Sequence, residues 1–286
     1  MVSLDRSWRE IARRHSLPDP VLATLGELSA AAVLLAATLK FEGALILQIH
    51  GDGAVSLIVV EARSDGRVRA TVKLREGEPI PDAISLPQLV NRSGRGRFAV
   101  TLDPAGRTDA RQAWQGIVPF EGETVAEVLE HYMSRSEQLP TRLWLAANGD
   151  RASGLLLQRL PDEGGKTLAS LTDPDGWNRM QHLADTLEPE ELLSTAPSLL
   201  LERMFWQEAV SGFTPRSIHF GCGCSRDKVA AMLRMLGSDE VSDILNERPD
   251  IEVHCDYCNE GYRFDAVDCA GLFIEPPPQP GSSNRH

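Results

Sequence analysis

The sequence predicts an α+β protein: an N-terminal domain with a mainly antiparallel sheet packed by helices, a helical linker, and a small cysteine-bearing C-terminal domain. Three observations lead there. Strand-like stretches broken by Gly, Asp and Asn turns fill residues 44–160, an Ala- and Leu-rich run precedes them, and all five cysteines of the 286 residues lie between Cys222 and Cys269.

Residues 4–16 and 20–40 read as helices, the second entered through Asp19-Pro20, with proline in the first turn. The run from Val21 to Leu39 is apolar enough to suggest a membrane span, but Glu27 interrupts it and Gly26, Ser29 and Thr38 dilute it, so a buried helix is expected. Ala44–Ile49, Val55–Ala62, Val68–Leu74, Arg97–Leu102, Ala113–Pro119, Arg142–Ala147 and Gly154–Leu160 carry alternation or β-branched residues. Gly51-Asp52-Gly53, Ser64-Asp65-Gly66 and Asn148-Gly149-Asp150 punctuate them, so one meandering antiparallel sheet with helices against it is the simplest arrangement. This fills a first domain, 1–172.

Asp173-Pro174-Asp175-Gly176 opens a stretch of different character, 173–215, punctuated by Pro189, Pro197 and Pro215. A solvated tether is poor in large apolar residues. This one holds Met180, Leu183, Leu187, Leu199, Leu200, Met204, Phe205 and Trp206, several at helical spacing. Such helices must rest on something, and periodicity alone also fits ordinary core helices of a single fold. Residues 216–275 form the cysteine domain, with a helix over Asp227–Leu236, and the Pro-rich tail 276–286 is expected to be disordered.

Cys222-Gly-Cys224 and Cys255-Asp-Tyr-Cys258 supply two close thiol pairs, enough to complete one tetrahedral zinc site. Four thiolates leave no coordination position for a substrate or activated water, so such a site is structural or redox-active rather than hydrolytic. Gly223 relieves the backbone where two sulfurs converge, and Gly261 suits the tight return after the second pair. The alternative is a set of buried, inert cysteines. Cys269 reads as a small buried apolar residue rather than a ligand or resolving thiol, and His254 is surplus to a complete four-cysteine set.

A net charge of -12 and a pI near 5.1 disfavour sequence-independent binding to phosphate backbones. The first ten residues mix both charge signs without an apolar core, so no secretory signal is expected, and a cytoplasmic location follows. Gly51-Asp52-Gly53 lacks the longer glycine pattern of a phosphate loop and reads as a hairpin turn. The basic cluster Asn91–Arg97 reads as a solvated loop, and Glu137 and Arg142 as parts of a structural turn. The histidines form no ligand-spaced cluster, and no nucleophile with a matched base is visible, so an enzyme is not expected.

Several segments together resemble the 33 kDa chaperonin family, the redox-regulated bacterial holdases of the heat-shock response. They are Leu34-Leu-Ala-Ala-Thr-Leu-Lys40-Phe-Glu-Gly43, Gly51-Asp52-Gly53, Ser136-Glu-Gln-Leu-Pro-Thr-Arg142, Gly154-Leu-Leu-Leu-Gln-Arg-Leu-Pro161, Cys222-Gly-Cys224-Ser-Arg226 and Val253-His-Cys255-Asp-Tyr-Cys258-Asn-Glu-Gly-Tyr262. The resemblance implies an ATP-independent chaperone with one Zn2+ per chain held by Cys222, Cys224, Cys255 and Cys258 in the reduced, inactive state. It further implies that oxidation forms Cys222–Cys224 and Cys255–Cys258 disulfides, that zinc leaves, and that the metastable linker unfolds. The oxidised protein then binds unfolding clients, often as a homodimer. Residues 216–275 are therefore expected to be a zinc-binding redox-switch domain. The family usually has a short strand before the segment matching Val2 to Trp8, so this chain is expected to begin late, with its first strand in doubt. No family role carries over to Cys269.

Energetics agree with that switch. Structural zinc contributes about 10 to 16 kcal/mol of apparent folding free energy, whereas disulfides closing such short loops contribute about 1.5 to 2 kcal/mol each. The apolar linker residues Met180, Leu183, Leu187, Leu199, Leu200, Met204, Phe205 and Trp206 are the candidate client-binding surface. Two other classes compete. A zinc-ribbon nucleic-acid-binding protein is disfavoured by the charge of residues 216–275, where Arg216, Arg226, Lys228, Arg234, Arg248 and Arg263 face twice as many acidic residues. A thiol oxidoreductase working through Cys255-x-x-Cys258 predicts turnover with a dithiol substrate, which a switch does not need.

Overall fold

The computed structural model describes residues 1–105, 113–159, 173 and 175–273. The chain divides into two compact units, Met1–Gly221 and Cys222–His286. The expected strand end at Leu160, the end of the expected first domain at residue 172 and the tail 276–286 lie outside the described residues.

The first unit begins with a short strand, β1 (Val2–Leu4), followed by helices α1 (Arg6–Ala12) and α2 (Asp19–Thr38). The expected helix over 4–16 is therefore shorter. Leu4 belongs to a strand because it pairs with Ala152 and buries its side chain, and the helix starts only after Asp5.

Helix α2 runs as the sequence predicts, with Pro20 in its first turn and apolar residues buried on most of its circumference. It is long and apolar enough to cross a membrane by length and composition, yet most of its apolar window is buried in the first unit, as befits a core helix. Its diluting hydroxyls are satisfied locally, Thr24 donating to the Pro20 carbonyl and Ser29 to that of Leu25. At Gly26 the helix passes so close to Ala147 that an added Cβ would lie 2.4 Å from the alanine methyl.

After α2 the chain forms β2 (Gly43–His50), β3 (Val55–Arg63) and β4 (Arg67–Leu74), a hairpin meander. A crossing segment carrying α3 (Leu86–Val90) then delivers β5 (Arg97–Pro104) to the far side of β2, and β6 (Trp114–Pro119) pairs beyond it. Next come α4 (Val125–Arg135), β7 (Thr141–Ala147) and β8 (Ala152–Gln158). The single expected meander is in fact two sheets. β7 and β8 do not extend the first sheet; they join β1 in a separate three-stranded sheet of order β1-β8-β7. The reason is visible in α2, which packs strands of both sheets onto its faces and so needs a second wall. α4 is capped by Thr124, whose hydroxyl accepts from the Glu127 amide, and buries Val125, Val128, Leu129, Tyr132 and Met133 at helical spacing.

Helices α5 (Gly176–Ala184), α6 (Pro189–Ser194) and α7 (Pro197–Phe205) follow within the first unit. They rest on the three-stranded sheet through two small clusters, one around Ala146, Leu192 and Leu200, the other around Leu155, Ala184 and Phe205. The unit closes with β9 (His219–Phe220), which adds to β4 in parallel and completes the larger sheet, β6-β5-β2-β3-β4-β9.

The second unit holds α8 (Arg226–Leu236), α9 (Ser238–Glu247), the antiparallel hairpin β10 (Asp250–His254) and β11 (Gly261–Asp265), and α10 (Ala266–Leu272). Only α8 was expected. Its buried core is Ala230, Leu233, Val241, Ile251, Phe264 and Cys269, a small nucleus for an independent fold.

Candidate metal centre

Each pair of cysteines is placed by local chain geometry. Cys222 and Cys224 lie in the turn that leads into α8, whose N-cap Ser225 accepts from the Lys228 amide and so fixes the exit of the loop. Cys255 and Cys258 lie in the turn joining β10 to β11. There the Cys255 amide donates to the Glu260 carbonyl at 3.0 Å and the Asn259 amide to the Cys255 carbonyl at 2.8 Å. Asn259 takes a left-handed conformation, φ 59°, which asparagine tolerates and which turns the chain back into β11. Gly261 stands where an added Cβ would press on the His254 ring, at 3.2 Å from Nε2.

The hairpin turn and the α8 approach bring the four Sγ atoms within 4.8 Å of one another. The short distances cross between the motifs, Cys222 to Cys255 at 3.6 Å and Cys224 to Cys258 at 3.3 Å, so the thiols form one cluster rather than two. A tetrahedron of thiolates at 2.3 Å from zinc has edges of about 3.8 Å. The four cysteines therefore fit a tetrahedral ion, and all are half-buried, as a closed structural site requires.

Electrostatics distinguish Cys222 from the second pair. Burial raises the pKa of Cys222, but the Cys224 amide and the neighbouring thiols outweigh it and bring it down to about 7. Burial pushes Cys255 and Cys258 above the ordinary thiol range. Cys222 thus reaches the reactive thiolate form more readily than Cys255 or Cys258.

Around the cluster lie residues that the sequence reading did not single out. The Tyr262 hydroxyl donates to Cys224 Sγ at 3.1 Å. Arg226 stacks over the Phe264 ring at 4.1 Å and pairs with Asp268 at 2.7 Å, bracing the start of α8 against β11 and α10. The only hint was the alternation Tyr262-Arg263-Phe264 after the second pair, which places Tyr262 and Phe264 on one face of a strand.

Cys269 is 2% exposed within the core of the second unit and outside the four-thiol group. His254 is also outside it, half exposed and 3.6 Å from Glu252. Of the apolar 173–215 residues, Leu200 and Phe205 are buried and Met180, Leu183, Leu187 and Met204 are half-buried in the two clusters on β7 and β8. Leu199 and Trp206 face outward, Trp206 at 73% exposure. The Gly51-Asp52-Gly53 segment is a hairpin turn, where Asp52 accepts from the Ser93 and Arg95 amides. Glu137 accepts from the Tyr132 hydroxyl, and Arg142 pairs with Glu130.

Comparison with known proteins places these features in company. The family model described as Hsp33 protein matches residues 1–265. A 33 kDa chaperonin from Methylobacillus flagellatus is 47% identical over 287 residues, covering 100% of this chain and 93% of the relative. One from Chromobacterium violaceum is 46% identical over 273 residues, covering 96% and 88%. The crystal structure of a 33 kDa chaperonin from Thermotoga maritima superposes with a TM-score of 0.75 at 23% identity, over 93% of this chain and 89% of that one, a likeness of fold.

Proposed function

This chain belongs to the Hsp33 family of molecular chaperones, proteins that bind unfolded clients and are not enzymes, and from that premise we propose that it is a redox-switched, ATP-independent holdase of the cytoplasm. The convergence of four Sγ atoms within 4.8 Å carries the reading, because it joins two distant sequence motifs into one ligand set.

In the reduced protein Cys222, Cys224, Cys255 and Cys258 hold one Zn2+. When bound, the ion gives the four thiolates a common centre and ties the small second unit together. Oxidation removes the ligands themselves. Each thiolate pair gives up two electrons to form one disulfide, Cys222–Cys224 or Cys255–Cys258, and hydrogen peroxide takes those electrons together with two protons from the solvent to become two molecules of water. Two short-loop disulfides stabilise the unit far less than the lost ligation did.

Helices α5–α7 are the proposed responsive segment, 173–215. Their contacts with β7 and β8 come from two small clusters rather than from the main core, so they belong to the low-stability end of the fold. Release exposes Met180, Leu183, Leu187, Leu200, Met204 and Phe205 beside the already exposed Leu199 and Trp206, a sticky surface for unfolding chains. The acidic net charge keeps such complexes soluble. The oxidised form is proposed to act as a homodimer, without nucleic acid or membrane.

The test treats the zinc-loaded protein with peroxide at elevated temperature, or with hypochlorous acid, and follows metal release alongside suppression of client aggregation. The two should rise together. Metal release with no gain in suppression overturns the proposal.

A further inference from the structure

Tyr262 sits on the hairpin of the second cysteine pair, yet its hydroxyl reaches a cysteine of the first. It lies on β11 opposite Val253, with its ring packed against the core of the second unit, and donates to Cys224 Sγ at 3.1 Å. The bond therefore spans the two halves of the four-thiol cluster from a rigid element.

We propose that Tyr262 is a positioning residue that sets how tightly the cluster holds its metal and how slowly Cys224 is oxidised. The inference rests on the reading of these cysteines as a zinc site. A hydroxyl donated to a thiolate withdraws electron density from the sulfur, which makes it a weaker nucleophile toward peroxide. It also fixes the direction of one sulfur lone pair, leaving the rest of the sulfur turned to the ligand cluster. Partners of this kind orient metal ligands, and their removal typically costs 10- to 100-fold in metal affinity. Because Tyr262 and Cys224 are 38 residues apart in sequence, the same bond couples the α8 approach to the β10–β11 turn.

Tyr262→Phe in the full-length chain removes the hydroxyl and keeps the ring that packs on the core. Three readouts follow: zinc affinity by chelator competition, the rate of thiol loss at each cysteine under peroxide by alkylation and mass spectrometry, and the thiolate-to-cobalt charge-transfer band of the Co2+-substituted protein. The expected results are zinc binding about 10- to 100-fold weaker, faster oxidation of Cys224 relative to Cys222, and a charge-transfer band moved to longer wavelength as the sulfur gains electron density. The band reports on the sulfur itself and does not move for a purely packing role. Wild-type affinity and an unmoved band in Tyr262→Phe overturn the proposal while leaving the zinc site intact; wild-type protein that binds no zinc overturns the site reading as well. A Tyr262→Leu variant separates the ring from the hydroxyl: it should lose thermal stability that Tyr262→Phe retains. If Tyr262→Phe unfolds as Tyr262→Leu does, the hydroxyl acts on the fold and the proposal fails.

Discussion

Arg179 of α5 grips Glu208, beyond the end of α7, with two hydrogen bonds, Nε to Oε1 at 2.7 Å and Nη2 to Oε2 at 3.2 Å, while its Nη1 reaches Asp173 at 2.5 Å. One guanidinium thus joins the entrance and the exit of the helical segment. Both carboxylates are held below the ordinary range, chiefly by their hydrogen bonds to Arg179. Arg179→Met should loosen α5–α7 in the reduced protein, seen as faster proteolysis between residues 173 and 208. The pair is only partly buried, so the difference from wild type should shrink in high salt. Equal cleavage rates in low salt would show that the guanidinium contributes nothing.

Glu27 gives the packing of these helices a pH dependence. Its carboxyl lies on α2 beside a cavity of about 240 Å3 lined by Leu143, Trp144, Leu145, Leu187, Pro189 and Leu192, and burial raises its pKa to about 7. A carboxyl with a raised folded pKa favours the folded state while protonated. The stability it leaves intact is therefore greatest below about pH 4.5 and declines as pH rises, levelling off above about 7. Glu27 keeps some solvent access, so about 3 kcal/mol is a ceiling for the loss. Thermal melts of the first unit's signal should fall between pH 5 and 8 in wild type and stay flatter in Glu27→Gln. A parallel pH response in the two proteins would eliminate Glu27 as its source.

Metal removal should act first on the second unit. Its six-residue buried core is too small to stand without the ligand set. Chelation under reducing conditions should abolish slow amide exchange in α8–α10 and leave α2 protected. Cys258→Ser should do the same without chelator. Persistent protection in α8–α10 after complete metal loss would contradict this.

Leu200 is 2% exposed in the cluster under α6 and α7. Leu200→Ala should destabilise the packing of that segment by about 2 to 5 kcal/mol, lowering the oxidant dose or temperature needed for client binding. Trp206→Ala removes a side chain that is already exposed and should leave the segment's protection unchanged. Client affinity measured after full oxidation separates packing from contact.

Much of this was legible in the residues. Alternation or β-branched content marked the strands of the first unit, most clearly β2 and β4, which turn alternate residues into a large core, and Asp19-Pro20 marked α2. The cysteine spacing picked out the four thiols that the fold gathers within 4.8 Å, because two sulfurs two or three positions apart can face one point. The split into two sheets was not legible: β7 and β8 read as strands no differently from the others, and only α2's demand for a second wall separates them. The β10–β11 hairpin was hidden because its five-residue strands carry charges at exposed positions, such as Glu252 and Arg263, and bury little. Tyr262 was missed for a related reason. Its partner lies 38 positions away, and no local spacing rule reports a phenol aimed at a remote sulfur.

The two-residue strand β9 has a mechanical consequence. Through Arg67↔His219 and Val68↔Phe220 it moors the chain to β4, just as β8 moors it at the other end of the helical stretch. Melting α5–α7 would then open a loop between two fixed posts rather than free a dangling arm, and the conformational freedom gained by such a loop grows only slowly with its length. A captured polypeptide would then meet a strap anchored at both ends.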